Sequence, residues 1–322
     1  MKVGASGGLL QPSSFFKLKK MKKITLPAFA KINWLLRILG KREDGFHELC
    51  TIFQTISLAD KITFIENDEL ILTCDDLNIP TDRQNLIIKA AKILQNKFGI
   101  AKGAKINLEK RIPSPGGLGG GSADCAIALL GLLKLWNLTI SFSELMEIGK
   151  KLGSDVPYFF YGGTALGVGR GTEITEITEV NEQFMLIVTP NINVSTAAAF
   201  AQINAPRLTN YSSKSILKIC CDEAEKFNLQ QTVPINDFES VIFEIEPELK
   251  RVKKQLLGGG AKQALMSGSG ASIFGIFENE ETRQATLKAL DEEKNWRKFA
   301  VATVSRENYR KALESVLEVV SD

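Results

Sequence analysis

A single histidine, His47, serves all 322 residues. That scarcity excludes paired-histidine metal sites such as H-E-x-x-H and leaves a serine or cysteine nucleophile only one imidazole as base. The five cysteines, Cys50, Cys74, Cys125, Cys220 and Cys221, are odd in number and lack C-x-x-C spacing. No disulfide framework or zinc knuckle is expected, and a reducing cytoplasm fits. Long apolar runs are missing too. The longest, Cys125 to Leu133, falls far short of the roughly 20 residues that span a bilayer, so no membrane segment is expected. Net charge is also small: 40 Lys and Arg against 37 Asp and Glu leave +3, too balanced for nucleic acid as the main partner. Chemistry must therefore lean on Lys, Asp, Glu and backbone groups.

The positive excess is concentrated at residues 1–23, which hold six lysines and no acid, so the remainder is net acidic. This leader reads as an upstream start or a disordered tail preceding Met21, with organellar import as the lesser alternative. With 44% hydrophobic and 24% charged residues, the chain as a whole has the composition of a globular protein. Its length predicts two domains, an N-terminal one over 24–180 and a C-terminal one over 181–322, with a cleft between them.

From Ile24 to Cys74 the text is strand-like, in segments ITLPAFAKINWLLRIL, LCTIFQTIS, DKITFIE and ELILTC separated by turn clusters. The period changes over residues 84–98, where Leu86, Ile87, Ala90, Leu94 and Phe98 recur at helical spacing. A strand around Ala104 to Leu108 follows, then a glycine cluster that opens a helix to Trp136. Ser141 and Glu144 form a capping box for a helix to Leu152. Beyond Val180 the pattern predicts a strand at 183–190, helices around 213–227 and 247–257, a strand-turn-strand at 264–277, a helix at 280–290, a strand at 299–304 and a terminal helix.

The most informative segment is Pro113-Ser-Pro115-Gly116-Gly117-Leu118-Gly119-Gly120-Gly121-Ser122, leading directly into an amphipathic helix. Glycines let the backbone approach a ligand and reach positive φ, while a helix N-terminus offers unpaired N–H groups and partial positive charge. Together they make a cradle for phosphate, against the alternative of a plain surface loop. The Walker pattern G-x-x-x-x-G-K-[ST] is absent because no lysine precedes Ser122, and the G-x-G-x-x-G spacing fails as well. Protein kinase signatures H-R-D and D-F-G are also missing.

Three separated blocks, Pro27-Ala-Phe-Ala-Lys31-Ile-Asn33, the glycine loop with its helix, and Ser267-Gly268-Ser-Gly270-Ala271, resemble the GHMP kinases of small molecules. The resemblance covers about residues 24–305. It implies an α/β two-domain fold, with a ribosomal-protein-like N-terminal domain built on a five-stranded type of sheet and a ferredoxin-like C-terminal domain. Arg42 to Leu49 and Gly153-Ser-Asp155-Val-Pro157 further resemble the branch whose acceptor alcohol is a cytidine-diphosphate-linked methylerythritol. The implied activity is transfer of a phosphoryl group from ATP, accompanied by Mg2+, to the 2-hydroxyl of that small molecule.

Phosphoryl transfer needs phosphate donors, a cation near the transferred group and an acidic residue for the hydroxyl. The resemblance assigns the last two to Lys31 and Asp155, which on their own would read as a strand end and a helix-exit turn. It places ATP against the glycine loop, Gly268 and Gly270, with Asn85 and Lys110 near the adenine. The Gly268–Gly270 turn could equally be a plain hairpin. Ser122 can reach phosphate or Mg2+, and Ala123 stands where the family has a second Ser; no metal-ligand cluster is legible. Substrate contacts fall to Asn33, Phe46, His47, Thr196 and Phe200, with His47 reading a cytosine edge and Phe46 and Phe200 sandwiching the ring. Phe46 replaces a common Tyr of the family. Phe200 also fits an ordinary helix core. Alternatives are a GHMP kinase for another alcohol, of homoserine or mevalonate type, against which Gly45-Phe46-His47 argues, and a non-catalytic nucleotide sensor, against which Lys31 and Asp155 argue. A monomer or weak homodimer without nucleic-acid or membrane partners is expected.

Overall fold

The computed structural model describes residues 22–203, 205–206, 210–229 and 232–321. The leader, up to Met21, lies outside the described residues. Two long strands, β1 (Lys23–Lys41) and β2 (His47–Asn67), pair antiparallel and form the spine of the first layer. There follow β3 (Leu70–Cys74), α1 (Leu86–Phe98), β4 (Gly103–Glu109), α2 (Gly120–Trp136), β5 (Ile140–Ser141), α3 (Phe142–Leu152), a short 3-10 turn (Pro157–Phe160), β6 (Thr164–Gly169) and β7 (Glu173–Glu176). The chain continues through β8 (Met185–Pro190), α4 (Thr196–Gln202), α5 (Asn210–Glu225), β9 (Ile235–Asn236), α6 (Glu239–Ile245), α7 (Pro247–Gly258), β10 (Gln263–Met266), β11 (Ile273–Ile276), α8 (Glu280–Ala289) and β12 (Trp296–Val301), which apart from β9 make up the second layer. The chain ends in α9 (Arg306–Leu317) and β13 (Val320–Ser321).

The first sheet has seven strands rather than five: β3, β4, β2, β1 and β9 lie side by side, β6 is added beside β2, and β7 beside β6. The extra strands fit because β2 is long enough for two partners. Its Lys61–Asn67 half pairs with β4 and its Leu49–Gln54 half with β6. LCTIFQTIS and DKITFIE, expected as separate strands, are thus one. The interval between them survives as strand because the β1/β2 register slips between Phe29 and Lys31, while the Ser57 amide donates to the Ala302 carbonyl of the second layer.

α2 is the other departure, for it is buried on nearly every side rather than amphipathic. It packs against β1 and β2 with α1, α3 and α9 around it, and a helix enclosed in this way needs apolar residues all round. Gly131 is required there, since a Cβ would sit 2.4 Å from the Phe64 ring.

In the second layer the sheet order is β10, β11, β8, β12, with every pair antiparallel. Strand β8, helix α7, β10, β11, helix α8 and β12 in chain order give the ferredoxin-like arrangement, with α4, α5, β9 and α6 inserted after its first strand. The strand expected at 299–304 begins earlier, at Trp296. Past Val301 the chain returns to the first layer, where Tyr309, Leu313 and Val316 of α9 enter its core and the Tyr309 hydroxyl donates to the Phe159 carbonyl at 2.5 Å. Among the described residues no helix is long and apolar enough to cross a membrane.

Gly131→Ala should lower stability by about 1–3 kcal/mol through overpacking, read as a lower urea midpoint with an unchanged slope. An unchanged midpoint would mean that Phe64 can move aside.

Candidate active site

Three backbone segments converge on the glycine loop. The Lys31 amide, beside the register slip in β1, donates to the Leu118 carbonyl at 2.9 Å. From the second layer, the Ser267 hydroxyl donates to the Gly117 carbonyl at 2.9 Å and the Ser272 amide to the Gly116 carbonyl at 3.1 Å. The approach is close enough to exclude a side chain: at Gly117, with φ +69°, a Cβ would lie 2.0 Å from the Ser267 carbonyl oxygen. Leu118 anchors the loop with a buried side chain. The loop then opens α2 at Gly119, whose cap is a left-handed glycine with no side-chain hydrogen bond, so the first amides of the helix have no capping side chain.

Lys31 and Asn33, two apart in a regular stretch of β1 between two register slips, place both side chains on one face of the strand. Lys31 Nζ donates to Asn33 Oδ1 at 2.8 Å and lies 3.3 Å from Asp155 Oδ2. Lys31 is buried, whereas the Asp155 side chain is 32% exposed and so reachable from solvent. Asn33 Oδ1 also accepts the Gly268 amide at 3.0 Å, and Asn33 Nδ2 donates to Thr51. Asn236, on β9, donates to the Met266 and Gly268 carbonyls and fixes the same turn from the other side.

Lys31, Asn33 and Asp155, with Gly117, Gly119 and Gly268, line one end of a cleft of about 650 Å³. Phe46, His47, Thr196 and Phe200 line its other walls. Thr196 begins α4 and shares a 2.8 Å hydrogen bond with Ser269. The Phe200 ring is stacked on His47, with centroids 4.8 Å apart and planes 16° from parallel, and Phe238 meets its edge. Phe46 is itself stacked, under the Arg170 guanidinium. Phe46 and Phe200, which line the same cleft, thus each carry a stacked partner on one face. Burial, with help from the charge of Lys41, holds the His47 imidazole below its ordinary pKa, so at neutral pH the ring has one donor and one acceptor nitrogen.

The other residues singled out in the sequence are not among those lining this cleft. Ser122 sits in the first turn of α2, its hydroxyl 3.7 Å from where a Gly153 Cβ would be, hence beside the Asp155 turn. Pro115, Gly116, Gly120 and Gly121 continue the loop. Gly270 faces inward, and a Cβ there would meet Met266 Sδ at 3.0 Å. Asn85 caps α1, accepting the Ile87 amide and donating to the Pro80 carbonyl, which occupies both ends of its amide. Lys110 is buried beneath Gly120, held by Asp60 and by Asp124 Oδ2 at 3.1 Å. Burial opposes its charge, yet the two carboxylates keep the ammonium above the ordinary lysine pKa. Burial raises the Asp124 carboxyl, and Asp124 Oδ1 has no hydrogen-bond partner.

Sequence reasoning missed Asp60, Asp124, Arg170, Lys41 and Asn236. Asp124 carried a signal, a carboxylate at the head of an apolar helix; the others lie in strands or turns whose partners are remote in sequence.

Residues 85–163 match the family described as GHMP kinases N terminal domain, and residues 222–295 that described as GHMP kinases C terminal. The 4-diphosphocytidyl-2-C-methyl-D-erythritol kinase of Syntrophotalea carbinolica is 40% identical over 282 residues, spanning 86% of this chain and 97% of its own. That of Enterococcus faecalis is 40% identical over 263 residues, 81% and 92% of the two chains. A solved 4-(cytidine 5'-diphospho)-2C-methyl-D-erythritol kinase aligns with a TM-score of 0.70 and 30% identity over 87% of this chain and 99% of its own. A homoserine kinase from Cytophaga hutchinsonii aligns with a TM-score of 0.65 at 19% identity over 92% and 99% of the two chains, and shares the fold.

Lys110→Met should cost about 3–5 kcal/mol of stability, because it strands two buried carboxylates. Urea denaturation reads this directly, and a loss below about 1 kcal/mol would show that Asp60 and Asp124 do not depend on the lysine.

Proposed function

Since the chain belongs to the 4-diphosphocytidyl-2-C-methyl-D-erythritol kinase family within the GHMP kinases, we propose that it moves the γ-phosphoryl group of ATP to the 2-hydroxyl of 4-diphosphocytidyl-2-C-methyl-D-erythritol. The observation that carries this reading is the Lys31–Asp155 pair beside a glycine-rich helix start, at one end of a cleft whose other walls hold stacked rings and a neutral histidine.

The loop's carbonyls at Gly116, Gly117 and Leu118 are taken by protein donors, which turns them away from an anion. At Gly121 a Cβ would meet nothing within 4 Å, so the protein's own packing does not demand glycine there, and the space suits a phosphate. Asp155, the exposed member of its pair, takes the proton of the acceptor hydroxyl as its oxygen bonds to the γ-phosphorus and ADP leaves. Lys31 holds the carboxylate in place and stabilises charge developing on the hydroxyl oxygen and the transferred group. His47 reads the cytosine edge, and Phe46 and Phe200 supply ring faces.

Among the described residues no group of three carboxylate, thiol or imidazole side chains is spaced to hold a metal ion. Mg2+ on a triphosphate draws most of its ligands from phosphate and water, so the few protein oxygens here fit it, with Ser122 as the contact and no second hydroxyl at Ala123. When bound it neutralises triphosphate charge.

ADP release should be measured with ATP, Mg2+ and four acceptors: the cytidylylated methylerythritol, its free phosphate, homoserine and mevalonate. Turnover confined to the first is expected, and turnover with another alcohol would remove the base-binding roles. Asp155→Asn should lose about a hundredfold or more in kcat with acceptor and ATP binding retained, measured by steady-state kinetics and equilibrium titration. Near-normal kcat would take Asp155 out of the proton-accepting role.

A further inference from the structure

The cleft's charge is uneven in a way the phosphoryl-transfer chemistry does not use. At one end Lys31 is matched by Asp155. Elsewhere Lys41 and Arg170 line it, and among the described residues no carboxylate other than Asp155 does so. The nearby acids are already engaged. Glu48 accepts from Arg42 at 2.5 Å and from the Gly169 amide at 3.0 Å, and Asp44 accepts from Arg42 and the Phe46 amide. Arg170 feels Asp44 only at a distance; among the described residues it makes no ion pair, and its buried Nε has no hydrogen-bond partner.

Arg170 is nonetheless held in place. It sits in the tight turn between β6 and β7, flanked by Gly169 and Gly171 at φ +67° and +82°, and the Gly171 amide donates to the Val168 carbonyl. Its guanidinium lies 3.5 Å from the Phe46 ring centroid. Stacking fixes the plane of a guanidinium while leaving its N–H donors free at the rim, the geometry that binds phosphate oxygens in a fork. An arginine oriented by a ring, unpaired by acid and lining a substrate cleft has the properties of an anion receptor.

We propose that Arg170 is a substrate-binding residue that donates to the diphosphate of the acceptor, with Lys41 adding charge beside it. The inference rests on the reading that the acceptor carries a cytidine diphosphate, and it deepens that reading. Stacking on Phe46 couples base recognition to diphosphate recognition: the ring that offers one face to a pyrimidine orients the cation that holds the adjoining phosphates. Neutral alcohols would gain nothing from this end of the cleft.

The test compares wild type with Arg170→Gln in three measurements: KM for the cytidylylated acceptor, KM for ATP, and dissociation constants of CDP and of cytidine followed by NMR titration. The acceptor KM and the CDP constant should rise about tenfold, while the cytidine constant and the ATP KM stay within about twofold. Arg170→Lys, which keeps the charge but loses the fork, should fall between, and it carries the test if the Gln variant does not fold. Equal weakening of CDP and cytidine would show that Arg170 only supports the Phe46 ring and would overturn the proposal, as would unchanged CDP binding. Wild-type protein without turnover on the cytidylylated acceptor would instead overturn the function itself. Turnover by wild type with an unaltered Arg170→Gln variant would overturn this inference alone.

Discussion

The glycine loop is held by its carbonyls. Donors from β1 and from the turn between β10 and β11 take the oxygens of Gly116, Gly117 and Leu118, so two layers of the protein grip the same three peptides. A peptide whose oxygen is bound on one side presents its amide elsewhere, and the uncapped start of α2 continues that row of N–H groups. Lys31 is aimed by the same contact, since its own amide is one of the donors. The cleft, the lysine and the glycine loop are therefore a single arrangement, and neither layer forms it alone.

Beneath the loop lies a second constraint of a different kind. Asp60 binds the Arg111 and Ile112 amides at 2.5 and 2.8 Å and shares Lys110 with Asp124, so the chain entering the loop and the helix leaving it are joined through buried charge. Such a cluster contributes little net stability compared with apolar packing, but it specifies geometry, because any displacement leaves a charge unmatched. Lys110 is drawn into this support by two carboxylates that no local pattern of the sequence places near it.

What the sequence disclosed and what it withheld separate along physical lines. Local chemistry was legible: the Ser141–Glu144 capping box is present, and the β8 to β12 arrangement follows from strand and helix periods together with the family resemblance. The resemblance also picked out Lys31, Asn33, Phe46, His47 and Asp155, which the fold gathers in one cleft. Features set by distant partners were not legible. The merging of two strands into β2 depends on a register slip against β1 and a hydrogen bond to Ala302; the burial of α2 on all sides depends on α9, almost two hundred residues later. Arg170 was invisible because its setting depends on the Phe46 ring, more than a hundred residues earlier, and on acids that pair elsewhere.

The return of α9 to the first layer also orders events in time. Tyr309, Leu313, Val316 and Val319 fill a core whose other buried members lie between Leu26 and Ala165, and β13 pairs with β5. Those side chains leave the ribosome well after the earlier residues they pack against. The first layer, although most of its elements are made earlier, is completed only when α9 arrives, and until then α2 and its neighbours expose apolar surface to whatever chaperone or neighbour is present.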